Sequence, residues 1–294
     1  MEYKTILLTG GTGYLGSLIA KMLLQNGYRV AVLTRNTSDL KRLADFKHHI
    51  DLLNTDQLTL EACVEKVNPA IVIHCATDYG RKFSDPGIIA SANLLFPLKL
   101  LHLCKKHHIK CFINTDTALD KNVNAYSLSK FQFKEWLHVY STDMICVNMM
   151  LEHFYGPGED TSKFVAMIID KMLAPAAEID LTTGEQKRDF IYIDDVVQAF
   201  LIVIKKTFSL QKGFYHFGVG TKAPVTIKAI VELIKLLCNN EQTRLNLGAI
   251  PSRKKEIKES IIDTTALHEL GWNPEYSLIA GLQKTINIEI EHKQ

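Results

Sequence analysis

The sequence has no CxxC and no regularly paired cysteines: Cys63, Cys75, Cys104, Cys111, Cys146 and Cys238 fall mostly in apolar runs. That pattern argues against a disulfide scaffold and predicts reduced, buried thiols in a reducing compartment. An excess of one charge is also missing. Lys and Arg number 34 against 32 Asp and Glu, a net charge of +2. This balance argues neither for nor against nucleic acid, and no nucleic-acid-binding motif is present. The short basic stretches "KKHHIK" and "SRKKEIK" read as solvated surface. No run approaches the ~20 apolar residues of a membrane span. The chain goes directly into "TILLTGG", without a charged leader and apolar segment, so no signal peptide and a cytoplasmic location are expected. The adjacent pairs His48-His49 and His107-His108 lack metal-ligand spacing with a carboxylate partner, and adjacent residues do not face one site. No metal is expected. Internal repeats and low-complexity segments are absent.

What remains is an ordinary globular composition over 294 residues, 47% hydrophobic and 22% charged. A chain of this length buries roughly 75% of its unfolded surface without a staple. Short β-branched runs alternate with helical patterns through the first half. Strands are predicted at 5–10, 29–34, 48–53, 70–76, 110–115 and 144–150. Their unbroken apolar character suits strands buried on both faces of a parallel sheet. Leu15, Leu18, Ile19, Met22 and Leu23 repeat at helical spacing before a stop at Gly27. Further helices are predicted at 56–67, 88–106 and 125–140. This alternation predicts an α/β, Rossmann-type doubly wound fold for residues 1–150, with 188–217 returning to it. After residue 150 the rhythm breaks. A turn-rich stretch leads to a helix at 162–173, then a strand-like "DFIYIDD" and a helix at 194–206. Residues 151–294 are expected to form a smaller, mixed substrate lobe.

"TGGTGYLG" contains Gly10-x-x-Gly13-x-x-Gly16 between the first strand and the first helix. In that position the glycines allow a tight turn and close approach to a pyrophosphate, and the helix N-terminus offers unpaired N–H groups. At the end of the second strand an acid would bond the ribose 2′-OH of NAD. The run there is Leu33-Thr34-Arg35-Asn36, with no acid until Asp39. Arg35 suits the 2′-phosphate of NADP instead. NADP(H) is therefore expected over NAD.

Tyr126 and Lys130 lie four apart in a helical segment and so share a face. An ammonium beside a phenol favours the phenolate. That equips Tyr126 to exchange a proton with a carbonyl or alcohol. Thr115 ends a parallel strand, where ligands meet such sheets, and its hydroxyl can bond the same substrate oxygen. Thr115, Tyr126 and Lys130 are the expected catalytic residues.

Together these residues resemble the extended short-chain dehydrogenase/reductase family, also described as the NAD-dependent epimerase/dehydratase family. The resemblance spans nearly the whole chain. It includes "TGGTGYLG", Asp51-Leu52 after the third strand, "HCA" at 74–76, Asn93, Tyr126 to Lys130, "FYGPG" at 154–158, "GEQKRDFIYIDD" at 184–195 and "RKKEI" at 253–257. It implies a cofactor site of Gly10, Thr12, Gly13, Tyr14, Leu15, Gly16, Arg35, Asp51, Leu52, Cys75, Ala76, Thr77, Asn93 and Lys130. Asp51 and Leu52 would contact adenine. Arginines equivalent to Arg188 and Arg253 clamp a sugar-nucleotide diphosphate in the family, as guanidinium forks suit phosphate. Within the family the chain is most similar to the CDP-abequose synthase group, reductases of CDP-4-keto-3,6-dideoxyhexose. "IHCATDYGRK", "INTDT", "VNMMLEHFYGPGE", "TTGEQKRDFIYIDDVV" and "LGAIPSRKKEI" carry that likeness. It implies a substrate site including Asp116, Thr117, Glu152, His153, Lys163, Arg188 and Arg253. Met150 departs from the Arg of many members, and the 115–126 loop is shorter than in most.

Family dehydratases carry Thr-Asp-Glu at the strand end. Here the run is Thr115-Asp116-Thr117, and a hydroxyl cannot replace the Glu as a base. A 4-epimerase needs retained NAD, which Arg35 and the absent strand-end acid disfavour. The expected activity is thus NADPH-dependent reduction of a nucleotide-sugar C4 ketone. The alternatives are an NAD-dependent 4-epimerase and a non-catalytic NADP(H) sensor. Asp116 could orient a sugar hydroxyl, donate a proton or only cap the strand. The family implies a homodimer built through the helices at 88–106 and 125–140.

Overall fold

The computed structural model describes residues 4–80, 85–174, 178–251, 258–259 and 261–293. The first half of the chain forms β1 (Thr5–Thr9), α1 (Tyr14–Gln25), β2 (Arg29–Thr34), β3 (Ile50–Asn54), α2 (Leu60–Val67), β4 (Ile71–His74), α3 (Pro86–Ala90), α4 (Phe96–Lys106), β5 (Cys111–Thr117), α5 (Ala125–Tyr140) and β6 (Ile145–Leu151). Then follow β7 (His153–Tyr155), α6 (Phe164–Leu173), β8 (Glu178–Leu181), β9 (Lys187–Arg188), β10 (Phe190–Tyr192), α7 (Ile193–Thr207) and β11 (Gly213–Val219). The chain closes with β12 (Val225–Thr226), α8 (Ile227–Leu237), β13 (Arg244–Leu247), α9 (Thr265–Glu269) and α10 (Leu278–Lys293). Contacts divide it into one unit of Met1–Met150 with Ala199–Phe217, and another of Leu151–Gln198 with Gly218–Gln294.

The first unit is built on a seven-stranded sheet of order β11-β6-β5-β4-β1-β2-β3. β1 pairs in parallel with both β2 and β4, as do β2 with β3 and β4 with β5. Ile6, Leu7, Leu8 and every residue of β4 are buried, so the unbroken apolar runs do mark strands covered on both faces. This is the expected α/β doubly wound fold. From β1 the strands run outward through β2 and β3, then resume on the other side at β4. Such a switch point opens a crevice beyond the strands' C-terminal ends. The loops after β1 and β4 therefore converge there.

Residues 86–106 correct one expectation. α3, a π-helical turn at Ser91–Leu95 and α4 form a continuous helix of 21 residues with an 18-residue window of mean hydropathy 1.5, long and apolar enough by length and composition to cross a membrane. No single sequence run shows this, because lysines and histidines interrupt it. Leu100, Leu101 and Cys104 on this helix are buried in the first unit's core with Phe112 and Phe133. Part of its apolar surface is thus used inside the fold, while Ile88 and Leu95 are exposed.

In the second unit β7 pairs with β10, β8 with β13 and β9 with β12. "DFIYIDD" does not stay extended. The strand ends at Tyr192, and Asp194 and Asp195 occupy the first turn of α7, where the helix dipole favours acids. Asp195 also anchors the C-terminal segment, accepting from Glu275 N at 2.8 Å and Tyr276 N at 3.2 Å. The buried Trp272 indole donates to the Asp195 carbonyl at 3.0 Å.

Candidate active site

The glycine loop is built for close approach. Gly10 has φ +68°, and a Cβ there would lie 2.5 Å from Ala76 N. At Gly16 a Cβ would collide with the Gly10 carbonyl. The turn after β1 thus sits directly against Cys75 and Ala76 after β4. The Thr9 hydroxyl reinforces this, lying 2.7 Å from His74 Nδ1 and accepting from Ala76 N at 3.2 Å. α1 begins at Tyr14 with Gly13 at its cap, no side-chain cap and no acid in the first turn. Its open N–H groups and positive dipole end fit a pyrophosphate. Thr12 and Tyr14 are half-buried, Leu15 is buried, and the Arg42 guanidinium lies over the Tyr14 ring at 5.2 Å.

At the ends of β2 and β3 the structure revises the reading. Arg35 is exposed just beyond β2, its backbone N–H bonded to Ser38 Oγ at 2.9 Å. Asp51 and Leu52 lie inside β3 rather than after it, paired in register with Ala31 and Val32. Asp51 meets Arg29 at 2.8 Å, at the opposite end of β2 from Arg35. The residues emerging at the C-terminal edge are Asn54, Thr55 and Asp56. Asp56 accepts from Asn36 N at 2.7 Å, and Asn54 donates to Asn36 Oδ1 at 2.6 Å. An acid therefore does reach the end of β2, supplied from the next loop.

α5 opens with an Asn124–Ser127 capping box, placing Tyr126 and Lys130 on its first turns. Lys130 is only 2% exposed, and its Nζ finds no hydrogen-bond partner among the described residues. Burial pulls its pKa down, while the charge of Asp116 and then Cys75 opposes that fall. Burial first, and the Lys130 charge second, hold His74 far below the usual histidine range. Burial raises the Cys75 thiol to about 12. Asn93, fully buried in the π-helical turn, ties these parts together. Its oxygen accepts from Thr77 Oγ1 at 3.2 Å and Asp78 N at 2.8 Å. Its nitrogen donates to the Asp78 carbonyl at 2.8 Å and Ser129 Oγ at 3.2 Å. Ser129 in turn donates to the Tyr126 carbonyl at 2.8 Å. The loop so held carries Tyr79, whose ring centroid lies 5.0 Å from that of Tyr126.

β5 extends to Thr117, two residues beyond the expected end, so Thr115 and Asp116 lie within it. The Thr115 hydroxyl donates to the His74 carbonyl at 3.0 Å and must exchange that bond to donate to a substrate. Thr117 is half-buried, its hydroxyl accepting from Leu119 N at 3.2 Å. Asp116 is buried and bonded to Asn148 on β6.

In the second unit Glu152 is buried, and its Oε2 lies 3.4 Å from His153 Nδ1. The buried Asp189 carboxylate accepts from Thr221 N at 2.7 Å and Lys222 N at 2.9 Å, fixing the 220–222 turn beside Glu152. Arg188 precedes it on β9, donating to the Lys187 carbonyl at 2.7 Å, and Lys163 caps α6. Arg253 lies outside the described residues. His107 departs from expectation. It has carboxylate neighbours, Glu61 at 3.2 Å and Glu65 at 4.0 Å, brought in by α2. Lys106 also holds Glu61, at 2.5 Å, which makes this a surface ion-pair network.

The model of the NAD dependent epimerase/dehydratase family matches residues 6–220. The chain belongs to this family. It is 32% identical to the CDP-abequose synthase of Salmonella muenchen, over 97% of this chain and 98% of the relative. The UDP-glucose 4-epimerase of Thermotoga maritima shares its fold with a TM-score of 0.86 at 24% identity, covering 99% of this chain and all of that one. The UDP-glucose 4-epimerase of Thermus thermophilus, solved with NAD, gives 0.82 at 22% identity, covering 97% of this chain and 98% of that one. Membership makes the chain a pyridine-nucleotide-dependent enzyme type, and the glycine cradle, the open α1 N-terminus and the unpartnered Lys130 Nζ all fit such a cofactor. Against that family background, Tyr79, Ser129, Asn148 and Asp56 are the residues that sequence reasoning missed. Asn148 alone carried a signal, as the single polar letter in "ICVNMML".

Proposed function

We propose that the protein is an NADPH-dependent reductase of a nucleotide-diphosphate 4-keto-6-deoxy- or 3,6-dideoxyhexose, CDP-linked, acting in deoxysugar synthesis for O-antigen polysaccharide. The observation that carries this reading is an intact Tyr126–Lys130 pair on α5 beside a Thr115-Asp116-Thr117 strand end that has no Glu. The 32% identity to a CDP-abequose synthase over 97% of the chain supports the substrate class. The first unit is the cofactor domain in this reading, and the second the sugar-nucleotide lobe.

NADPH, when bound, supplies the hydride. The protein must hold the ketone, polarise it and deliver one proton. Tyr126 donates that proton to the carbonyl oxygen, completing the alcohol. Thr115 bonds the same oxygen after giving up the His74 carbonyl. Lys130 brings a buried amine with no hydrogen-bond partner among the described residues, suited to the nicotinamide ribose hydroxyls. Gly10, Thr12, Gly13, Tyr14, Leu15 and Gly16 take the pyrophosphate side, with Cys75, Ala76, Thr77 and Asn93 opposite. Asn54 to Asp56 take the adenine contact in place of Asp51 and Leu52. Arg35 selects the 2′-phosphate by charge. Thr117, Glu152, His153 and Lys163 face the sugar, while Arg188 and Arg253 hold the diphosphate.

NADPH oxidation against a panel of nucleotide-linked 4-keto sugars, with NMR of the product, tests the proposal. A 4-hydroxy product from a CDP-linked ketone is expected. Interconversion of 4-hydroxy sugars with NAD, and no ketone reduction, would make the protein an epimerase instead. The exposed Ile88, Leu95, Leu128, Trp136 and Val139 on the helices at 86–106 and α5 suit a homodimer. A single-chain mass in sedimentation would refute that.

A further inference from the structure

Tyr79 reaches the site from the loop after β4. Its ring centroid lies 5.0 Å from that of Tyr126, with the two planes tilted by 43°. That separation falls within the about 4.5–7 Å of an attractive aromatic pair. Tyr79 is 39% exposed, so the contact is not a by-product of core packing.

The backbone on both sides of Tyr79 is tied down. The Asp78 carboxylate accepts from Gly80 N at 2.8 Å, closing an Asx turn around Tyr79, and Gly80 takes the φ of +68° that ends it. The N–H and the carbonyl of Asp78 are both bonded to the Asn93 carboxamide, at 2.8 Å each. The same carboxamide donates to Ser129 Oγ at 3.2 Å, and Ser129 donates to the Tyr126 carbonyl at 2.8 Å. One buried amide thus sets the backbone from which both rings project. It comes from the π-helical turn at Ser91–Leu95, a local widening that recurs at functional sites. None of these bonds uses the Tyr79 ring, so the turn is complete without it.

Tyr126 has the complementary need. α5 fixes its backbone, but its hydroxyl lies two side-chain torsions further out, and a half-buried residue on a first helical turn has more than one rotamer to choose from. A proton donor misplaced by about 1 Å loses about a hundredfold in rate. We propose that Tyr79 is a positioning residue, whose ring braces the Tyr126 ring in the rotamer that aims the phenol hydroxyl at the substrate oxygen. This role rests on the reading of Tyr126 as the proton-transfer residue, and it is the same whichever way the reaction runs. Both rings belong to the first unit.

Tyr79→Ala and Tyr79→Phe in the full chain test it. Tyr79→Ala should lower kcat for ketone reduction by about ten- to a hundredfold, with KM and NADPH affinity much less affected. Tyr79→Phe keeps the ring and should recover most of that loss. Unchanged kcat in Tyr79→Ala overturns the proposal. A Tyr79→Phe as slow as Tyr79→Ala also overturns it, by giving the role to the Tyr79 hydroxyl. So does a loss of NADPH affinity or of Tm that accounts for the fall in kcat, since that marks a collapsed loop. A further readout needs no substrate. In NMR of protein with ring-labelled tyrosine, Tyr126→Phe identifies the Tyr126 signal. Tyr79→Ala should move that signal, because a neighbouring ring current is removed and the side chain gains rotamers. A signal that stays in place refutes the bracing. If no keto sugar is reduced, yet the signal moves and Tyr79→Ala slows the interconversion of 4-hydroxy sugars, the reductase reading fails and this inference stands.

Discussion

Asn93→Ala should cost more than a buried amide usually does, because one side chain secures both the loop after β4 and the first turn of α5. Asn93 makes four hydrogen bonds, to Thr77, twice to Asp78, and to Ser129. Each neutral bond is worth about 1 kcal/mol net. Thr77 and Asp78 are half-buried, so water can replace part of what they lose. Ser129 is buried but keeps its own bond to the Tyr126 carbonyl at 2.8 Å. The net loss should therefore be about 3 kcal/mol rather than the full sum plus a desolvation penalty. For a domain of about 150–250 residues, about 2–4 °C per kcal/mol makes that a fall in Tm of about 6–12 °C. The function should suffer separately. Asn93 holds the loop bearing Tyr79 against Tyr126, and small displacements of a proton donor cost about ten- to a hundredfold in turnover. Circular dichroism melts and steady-state kinetics on Asn93→Ala and Asn93→Asp measure both, with Asp recovering the acceptor half. A Tm lowered by less than about 2 °C with unchanged turnover would mean that this hub organises nothing.

Tyr126→Phe should abolish ketone reduction while leaving NADPH affinity within about twofold, since only the proton donor is removed; unchanged turnover would take Tyr126 out of the mechanism. Arg35→Ala should weaken NADPH by about tenfold or more and NADH hardly at all. Equal losses in isothermal titration would undo the NADP assignment and turn attention to Asp56 as a ribose partner. Burial raises the Cys146 thiol to about 12, against about 8.5 in an unfolded chain. The folded state then keeps a proton that the unfolded state releases, so this contribution is complete below pH about 8.5 and is lost as pH rises toward 12. Cys146→Ala should flatten the fall of urea stability above pH about 9 by up to about 1.4 kcal/mol per pH unit; an unaltered slope would refute the burial argument.

How much of this was legible before the structure depends on the distance over which each signal acts. The parallel strands were legible because burial on both faces leaves an unbroken apolar run within about five or six residues. The glycine loop was legible because a tight turn needs its glycines at fixed local spacing, and Tyr126 with Lys130 because four residues make about one helical turn. Asp51 was misplaced for the complementary reason: "HHIDLLN" is strand-like throughout, and only pairing with β2 in register shows which residue reaches the edge. Asp56 escaped because the end of β2 was searched along its own chain, whereas in a parallel sheet the neighbouring strand ends beside it. His107 likewise acquired its carboxylates from α2, 46 positions away at Glu61. Asn148 is the instructive intermediate. A lone amide inside an apolar strand announces a buried polar contact, since an unpaired one would cost several kcal/mol. Its partners Asn114, Asp116 and His216 lie on the two strands flanking β6, so strand order is what turns that announcement into a set of residues. A polar letter in a buried strand can thus be read from sequence as a question, and the sheet order answers it.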